Sequence, residues 1–306
     1  SCHMDTVPPS KGVKVRRSGS LFTSSGDTVL GSDDKSGLVA CIEAMRVLKE
    51  KNLAHRPVEF LITTCEEIGL VGAKAFDTSV MQAREGYALD STGFAKVVTH
   101  APAANKLQIH VAGIAAHAGL HPEWGINAIV LAAKALADIP CGRIDEESTV
   151  NFGVIQGGAA SNIVPEKVVI DGEVRSHSPQ KLKQLTQTIT DRFVNTAKHW
   201  TDPTGAARGN PRIEVLVEED FPAMALAQES QVIRRIEEAA SAIDLTLSSD
   251  NAGGRSDANI SNARGLATAI VATGMTNVHS TSEQVELADM VRLTELILAL
   301  LTKVQC

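Results

Sequence analysis

The sequence predicts an α/β protein of two domains, one inserted within the other. Three observations lead there. The chain has 306 residues, more than one small hydrophobic core ordinarily serves. Short apolar strands that run straight into carboxylates occupy its first third, and the same style returns in its last. Between them, from about residue 103, alternating strands and polar-faced helices follow the order β-α-β-β-α-β, the ferredoxin-like pattern. The divided domain reads as 1–102 and 221–306, and the inserted one as 103–220.

His3-Met4-Asp5-Thr6-Val7-Pro8-Pro9 comes first. An Asp two residues after a His can accept the second ring N–H of a metal-binding imidazole and fix its tautomer. Ser-x-His-Met is also the scar of a cleaved tag, and chain starts fray. Residues 11–30, rich in Gly, Ser and Lys/Arg, read as a hairpin-like connection. Gly31-Ser32-Asp33-Asp34-Lys35-Ser36-Gly37 then opens a helix in which Leu38, Val39, Ile42, Met45, Val47 and Leu48 recur at helical spacing. Adjacent carboxylates repel and are best tolerated beside cations or at a helix N-terminus. The simple account is Asp34 or Ser36 as N-cap, with Asp33 in solvent. The other account is a metal site.

Val58–Thr64 reads as a short buried strand. It ends in Cys65-Glu66-Glu67-Ile68-Gly69-Leu70, at the sheet edge where open α/β folds bind ligands. One Glu of such a pair can hold a metal while the other serves as general base; a solvated pair is the plain alternative. Gly86–Asp90 is another strand ending in a carboxylate, which taken alone is a turn Asp.

In the inserted domain, strands are expected over Lys106–Gly113, Thr149–Gly157, Lys167–Arg175 and Arg212–Val217, with helices over Gly125–Ile139 and Pro179–Trp200. The first style resumes with an amphipathic helix over Gln231–Ile243 and an apolar strand over Leu266–Thr273. Asn277-Val278-His279-Ser280 follows the strand, and a last helix covers Leu287–Val304. A lone loop His is most often a surface residue. His279, however, sits just past a strand end, as Glu66 and Asp90 do.

Composition narrows the function. Net charge is −7 with no basic run, so nucleic acid and anionic membranes are poor partners. No apolar run approaches a membrane span, and no signal peptide precedes Ser1. Five scattered cysteines without CxxC spacing point to a reducing, cytoplasmic setting and no disulfide framework.

Taken together, His3, Asp33, Glu67, Asp90 and His279 supply two imidazoles and three carboxylates. Two metal ions sharing one carboxylate need about that inventory. Nitrogen and oxygen donors without thiolate suit zinc, cobalt or manganese. Glu66, beside a ligand and not needed as one, is the natural base for a metal-activated water.

Several words occur in a fixed order: His-Met-Asp-Thr-Val, Leu-Gly-Ser-Asp-Asp-Lys-Ser-Gly, Thr-Cys-Glu-Glu-Ile-Gly-Leu, Ala-Leu-Asp and, near the end, Val-His-Ser-Thr-Ser-Glu. The middle of the chain adds Ala-His-Ala-Gly, Pro-Glu-Trp-Gly-Ile-Asn-Ala, Gly-Gly-Ala-Ala-Ser-Asn-Ile-Val-Pro and Gly-Glu-Val-Arg-Ser-His. From His3 to the C-terminus this set resembles the M20 family of dinuclear zinc peptidases, and within it the peptidase T-like tripeptidases.

The resemblance implies a zinc-peptidase domain with a mixed sheet and flanking helices, and an inserted lid or dimerisation domain through which a homodimer would form. It implies two Zn2+ per chain, with Co2+ or Mn2+ as substitutes. Asp33 would bridge the ions, with His3 and Asp90 completing one site and Glu67 and His279 the other. Asp5 would orient His3, and Glu66 would act as general base and then acid. His117 would help polarise the scissile carbonyl, while Asn162 and Arg175 would hold the substrate backbone or its carboxylate; an Arg fork suits the latter. Without the family words, His117 reads as a turn residue and Arg175 as an exposed strand end.

The activity implied is release of the N-terminal residue of tripeptides. An M20-type carboxypeptidase or N-acyl-amino-acid deacylase is the neighbouring alternative, and a non-catalytic binder or inactive truncated fragment the distant one. Family members also carry a helix and the first sheet strands ahead of the His-x-Asp word. That stretch is missing here, so the catalytic sheet is expected to lack an edge.

Overall fold

The computed structural model describes residues 1–302. The chain divides into two compact units: Ser1–Ala101 with the chain from Met224 onward, and Pro102–Ala223.

The first unit is a mixed α/β layer structure. Strand Ala267–Ala272 lies parallel to Glu85–Ser91 and antiparallel to Lys96–Ala101, with Ile270 opposite both Ala88 and Val98. Met224–Ala225 and Ser248–Asn251 extend the Lys96–Ala101 side. Helices Ser32–Glu50, Gln231–Ser241 and Leu287–Thr302 cover the sheet. They bury Ala40, Cys41, Ala44, Ile233, Ile236, Leu293 and Leu296 against Leu89, Val97, Ala269 and Val271. The small residues on helix Ser32–Glu50 let it approach the sheet closely. Its apolar Val39, Ile42 and Met45, expected in the core, are exposed instead. The buried stripe is the Ala40–Cys41–Ala44–Leu48 one, because alanine faces fit a crowded interface that larger side chains cannot.

The segment expected as a strand over 58–64 forms a ladder only at Ile62–Thr63. Its parallel partner is Cys2–His3. Ser1 ties this pair onward: its N donates to Tyr87 O at 2.7 Å, and Leu89 N donates to Ser1 O at 2.9 Å. His3, Thr63 and Asp90 thus all stand at or next to strand ends.

The connection over 11–30 is a hairpin, Val15–Ser18 against Leu21–Ser24, turning at Gly19 with φ +63°. Gln284–Glu286 adds a third strand. Elements not expected include strands Lys96–Ala101 and Ser248–Asn251 and helices Val71–Ala75 and Asp257–Ala263. The last helix is described to Thr302; its expected end at 303 and 304 lies outside the described residues. Among the described residues, no helix is long and apolar enough to cross a membrane.

The second unit is a five-stranded antiparallel sheet in the order Arg212–Phe221, Ala103–Ala112, Lys167–Ser176, Ser148–Gly157 and the short Gly142–Arg143. The four long strands and two helices follow each other as β-α-β-β-α-β. Helices Ala128–Ala137 and Pro179–Lys198 bury Leu131, Ala135, Leu182, Ile189 and Phe193 on Leu107, Ile109, Val111, Ile170 and Val174. From Asn105 to Ala112 the strand alternates in and out, which puts one face of the sheet in the core and leaves the other outside, while Ala103 and Ala104 are both buried.

A close approach in the first unit yields a sharp test. A Cβ at Gly37 would lie 2.5 Å from Asp34 Oδ1 and 2.6 Å from Leu89 O. Mid-helix Gly→Ala ordinarily stabilises, but here overpacking governs the sign. Gly37→Ala is expected to lose about 1–3 kcal/mol in urea denaturation. Equal or greater stability would contradict this packing.

Candidate metal centre

Asp33 and Asp34 do not behave as a cap and a solvated neighbour. Asp34 is fully buried and Asp33 is 7% exposed; the peptide bond between them is cis. Gly31 has φ +76°, Asp33 and Asp34 have non-helical backbone angles, and the regular helix follows them with no side-chain cap of its own. Glu283 holds this kinked segment from the far end of the sequence. Its carboxylate accepts from Gly31 N (2.8 Å), Ser32 Oγ (2.6 Å) and Asp33 N (3.0 Å). Ser36 instead donates to Ser32 O, and its hydroxyl also meets Thr273.

With its backbone so held, Asp33 points each oxygen at a different imidazole. His3 Nε2 lies 3.0 Å from Oδ1 and 3.7 Å from Asp90 Oδ1. His279 Nε2 lies 3.1 Å from Oδ2 and 3.0 Å from Glu67 Oε1. The five residues therefore form two pairs, His3 with Asp90 and His279 with Glu67, joined through one carboxylate.

Asp5 organises the first pair together with the backbone of Glu66 and Glu67. Its Oδ1 lies 3.4 Å from His3 Nδ1. The same oxygen accepts from Glu66 N at 3.1 Å, and Oδ2 accepts from Glu67 N at 3.2 Å. Burial works against the Asp5 charge, but these two amides hold its carboxyl below the usual range. Arg255 donates to Glu67 O at 2.8 Å. Cys65 and His279, next to or within the cluster, adopt left-handed φ of +59° and +61°. L-residues adopt that conformation only where surrounding structure imposes it.

The electrostatics are those of a site built for cations. Burial, followed by the Asp90 charge, pushes Glu66 up to about 9. Burial likewise raises Asp90, Glu67 and Asp34. Burial alone would lower His3, yet Asp33 and Asp90 push it up to about 12. Buried Asp34 Oδ1 has no hydrogen-bond partner. Donor atoms of His3, Asp33 and Glu67 lie within 4.8 Å of one another, as do those of His3, Asp34 and Asp90. The donor set, nitrogen and carboxylate oxygen without thiolate, fits zinc-class ions.

Sequence reasoning missed Glu283, although it closes the Val-His-Ser-Thr-Ser-Glu word. It also missed Asp34 as a buried support, where Oδ2 accepts from His3 N at 3.1 Å. A third omission is Asp257, buried beneath the centre and hydrogen-bonded to Thr63. The sequence words that contain Glu283 and Asp34 carry no sign of these contacts, because each residue acts through partners distant in sequence.

The remaining candidates lie in the second unit. His117 pairs with Ile163, next to Asn162, in a short antiparallel ladder, and Ala118 N donates to Asn162 O at 2.9 Å. Arg175, on strand Lys167–Ser176, is three-quarters buried rather than exposed; it pairs with Glu173 at 3.0 Å and lies over the Phe221 ring.

The chain is similar to known proteins over nearly its whole length. The family model described as peptidase family M20/M25/M40 matches residues 1–303. The chain is 39% identical over 300 residues to the Bacillus subtilis protein YqjE, covering 98% of this chain and 78% of that one. The crystal structure of aminopeptidase PepT from Bacillus cereus superposes with a TM-score of 0.87 at 40% identity, covering 98% of this chain and 79% of that one. A Staphylococcus aureus tripeptidase superposes with a TM-score of 0.90 at 33% identity, with the same coverage.

A pH series tests the charge distribution. Folding raises Glu66 from 4.5 to about 9 and His3 from 6.5 to about 12. The folded chain then binds more protons than the unfolded one between those values, so stability falls as pH rises. For chelator-treated protein, Tm is expected to decline from pH 4.5 to about 9, less steeply in Glu66→Gln. Added divalent metal should flatten the decline. A Tm that climbs across this window without metal would contradict the assignment.

Proposed function

The chain belongs to peptidase family M20/M25/M40, and from that premise we propose that it is an aminopeptidase that releases the N-terminal residue of tripeptides with two zinc ions. As a family member it is a metallopeptidase, and its reaction is metal-dependent peptide hydrolysis. The observation that carries the finer reading is the Asp33 carboxylate, one oxygen toward His3 and Asp90, the other toward His279 and Glu67. The names of the Bacillus cereus and Staphylococcus aureus neighbours, aminopeptidase and tripeptidase, support the substrate class.

His3 and Asp90 would hold one ion, Glu67 and His279 the other, and Asp33 both. Bound there, the ions supply Lewis acidity, an acidified water and the positive charge that ionises Glu66. Glu66, 5% exposed, is shielded from competing bulk water. Its carboxylate takes the proton of the attacking water and returns it to the leaving amine. Asp5 keeps the His3 ring in one orientation and fixes the backbone of Glu66 and Glu67. From the second unit, which we read as a lid and homodimer contact, His117 polarises the scissile carbonyl. Asn162 and Arg175 hold the substrate backbone or its terminal carboxylate. Cytoplasmic peptide turnover is the setting this reading fits.

Two assays test the proposal. With metal-loaded protein, tripeptides bearing a free amino terminus should release their first residue, and N-acylated analogues should not react. Release of a C-terminal residue, or cleavage of N-acyl amino acids, would move the chain to the carboxypeptidase or deacylase branch. Glu66→Gln should retain the metal content of the parent and lose about 10²–10⁴-fold in kcat. Undiminished turnover would remove Glu66 from the mechanism.

A further inference from the structure

The turn that carries His117 has little apolar burial to hold it. His117 and Gly119 are exposed, and Leu120 is 69% exposed. What fixes it is polar and stacked. His117 Nδ1 accepts from Gly119 N at 3.1 Å and from Leu120 N at 3.2 Å. A neutral imidazole has one lone-pair nitrogen and one N–H. Two amides directed at Nδ1 make that nitrogen the acceptor, so the proton resides on Nε2. Only that tautomer of the neutral ring presents a donor at Nε2.

The turn continues through His121, whose N donates to His117 O at 3.1 Å, to Trp124, whose N donates to His121 O at 3.2 Å. The His121 ring stacks on Trp124 at 3.6 Å and 12°. The guanidinium of Arg208 lies 3.5 Å from the Trp124 ring centroid. Two planar groups so near one ring must occupy its opposite faces, so the indole is sandwiched. Arg208 comes from a separate loop with its own internal fold. Asp202 in that loop accepts from Thr204 N and Ala207 N, and Arg208 N donates to Trp124 O at 3.1 Å. Directly after Trp124, a Cβ at Gly125 would lie 2.9 Å from both Ala116 and Val164. The residue that follows the sandwich thus packs closely against the ladder that holds His117.

We infer that Arg208 is a positioning residue for His117: by clamping Trp124 against His121 it holds the 117–124 turn in the one geometry that keeps His117 as the Nε2–H tautomer. The inference rests on the reading of His117 as the donor to the substrate carbonyl. It adds a residue that touches neither substrate nor metal, on a loop more than 80 positions away in sequence. A guanidinium stacks flat on an indole face and pairs with it electrostatically, which explains the choice of Arg at an exposed position.

The test uses ¹⁵N-histidine-labelled full-length chain, read by NMR, together with tripeptide kinetics on the metal-loaded protein. Wild type should show His117 as the Nε2–H tautomer. Arg208→Ala, an exposed site whose loss leaves the core intact, should give mixed tautomers at His117. It should also lower kcat about tenfold with KM within a factor of about two and metal content unchanged. Arg208→Lys, which keeps a cation over the ring but loses the flat stacking face, should restore only part of the kcat. Trp124→Phe, which retains a smaller stacking face, should fall between the two. An unchanged His117 tautomer and unchanged kcat in Arg208→Ala would overturn the inference, as would a wild-type Nδ1–H tautomer. His117→Ala separates the two levels. If it abolishes turnover while Arg208→Ala changes nothing, the catalytic reading stands and the positioning role falls. If it leaves turnover intact, the carbonyl-donor role and the inference built on it both fall.

Discussion

The constraint on which the first unit depends is one carboxylate facing two imidazoles. Asp33 is nearly buried, its Oδ1 3.0 Å from His3 Nε2 and its Oδ2 3.1 Å from His279 Nε2. A carboxylate there must be held by its backbone, because neither side-chain oxygen is free to anchor it. The fold meets this by letting Glu283 accept from the main chain at Gly31 and Asp33, and by wedging Gly37 against Asp34 and Leu89. Concentrating Asp33, Asp90, Glu67 and Glu66 in one buried place costs free energy that protons or cations must offset. The raised Glu66, Asp90 and His3 values are the signature of that cost.

The same logic organises the surroundings. Asp5 is at once the partner of His3 and the acceptor for the amides of Glu66 and Glu67. One short side chain therefore couples the start of the chain to the acidic pair that follows strand Ile62–Thr63. Removing it would leave two amides without their acceptor and His3 without a nearby carboxylate, a larger loss than any one of those contacts. In the second unit, the His117 turn is likewise fixed by backbone donors and a stacked Trp124 rather than by hydrophobic burial.

Much of this was legible in the sequence, and the unreadable parts share a cause. Helices with a clear period, such as Pro179–Lys198, and alternating strands, such as Lys167–Ser176, lie within a few residues of their expected limits. The segment over 58–64 pairs only at Ile62–Thr63, and apolar content does not encode which residues stand beside a strand. Helix Ser32–Glu50 shows the converse: Val39, Ile42 and Met45 have the right spacing, yet alanines form the buried face. That choice depends on how near the sheet lies, which periodicity does not encode. Asp33 and Asp34 looked like capping residues because capping is local chemistry; Glu283, which does the work, is about 250 positions away. The acidic and histidine residues at strand ends could be collected from the sequence. Their pairing through one carboxylate could be reached only by resemblance.

Anomalous diffraction at the zinc edge from crystals of the zinc-loaded chain tests the central claim most directly. The account predicts two peaks, one beside each oxygen of Asp33, the first also touching His3 and Asp90 and the second Glu67 and His279. A single peak, or peaks that leave Asp33 uncoordinated, would contradict it.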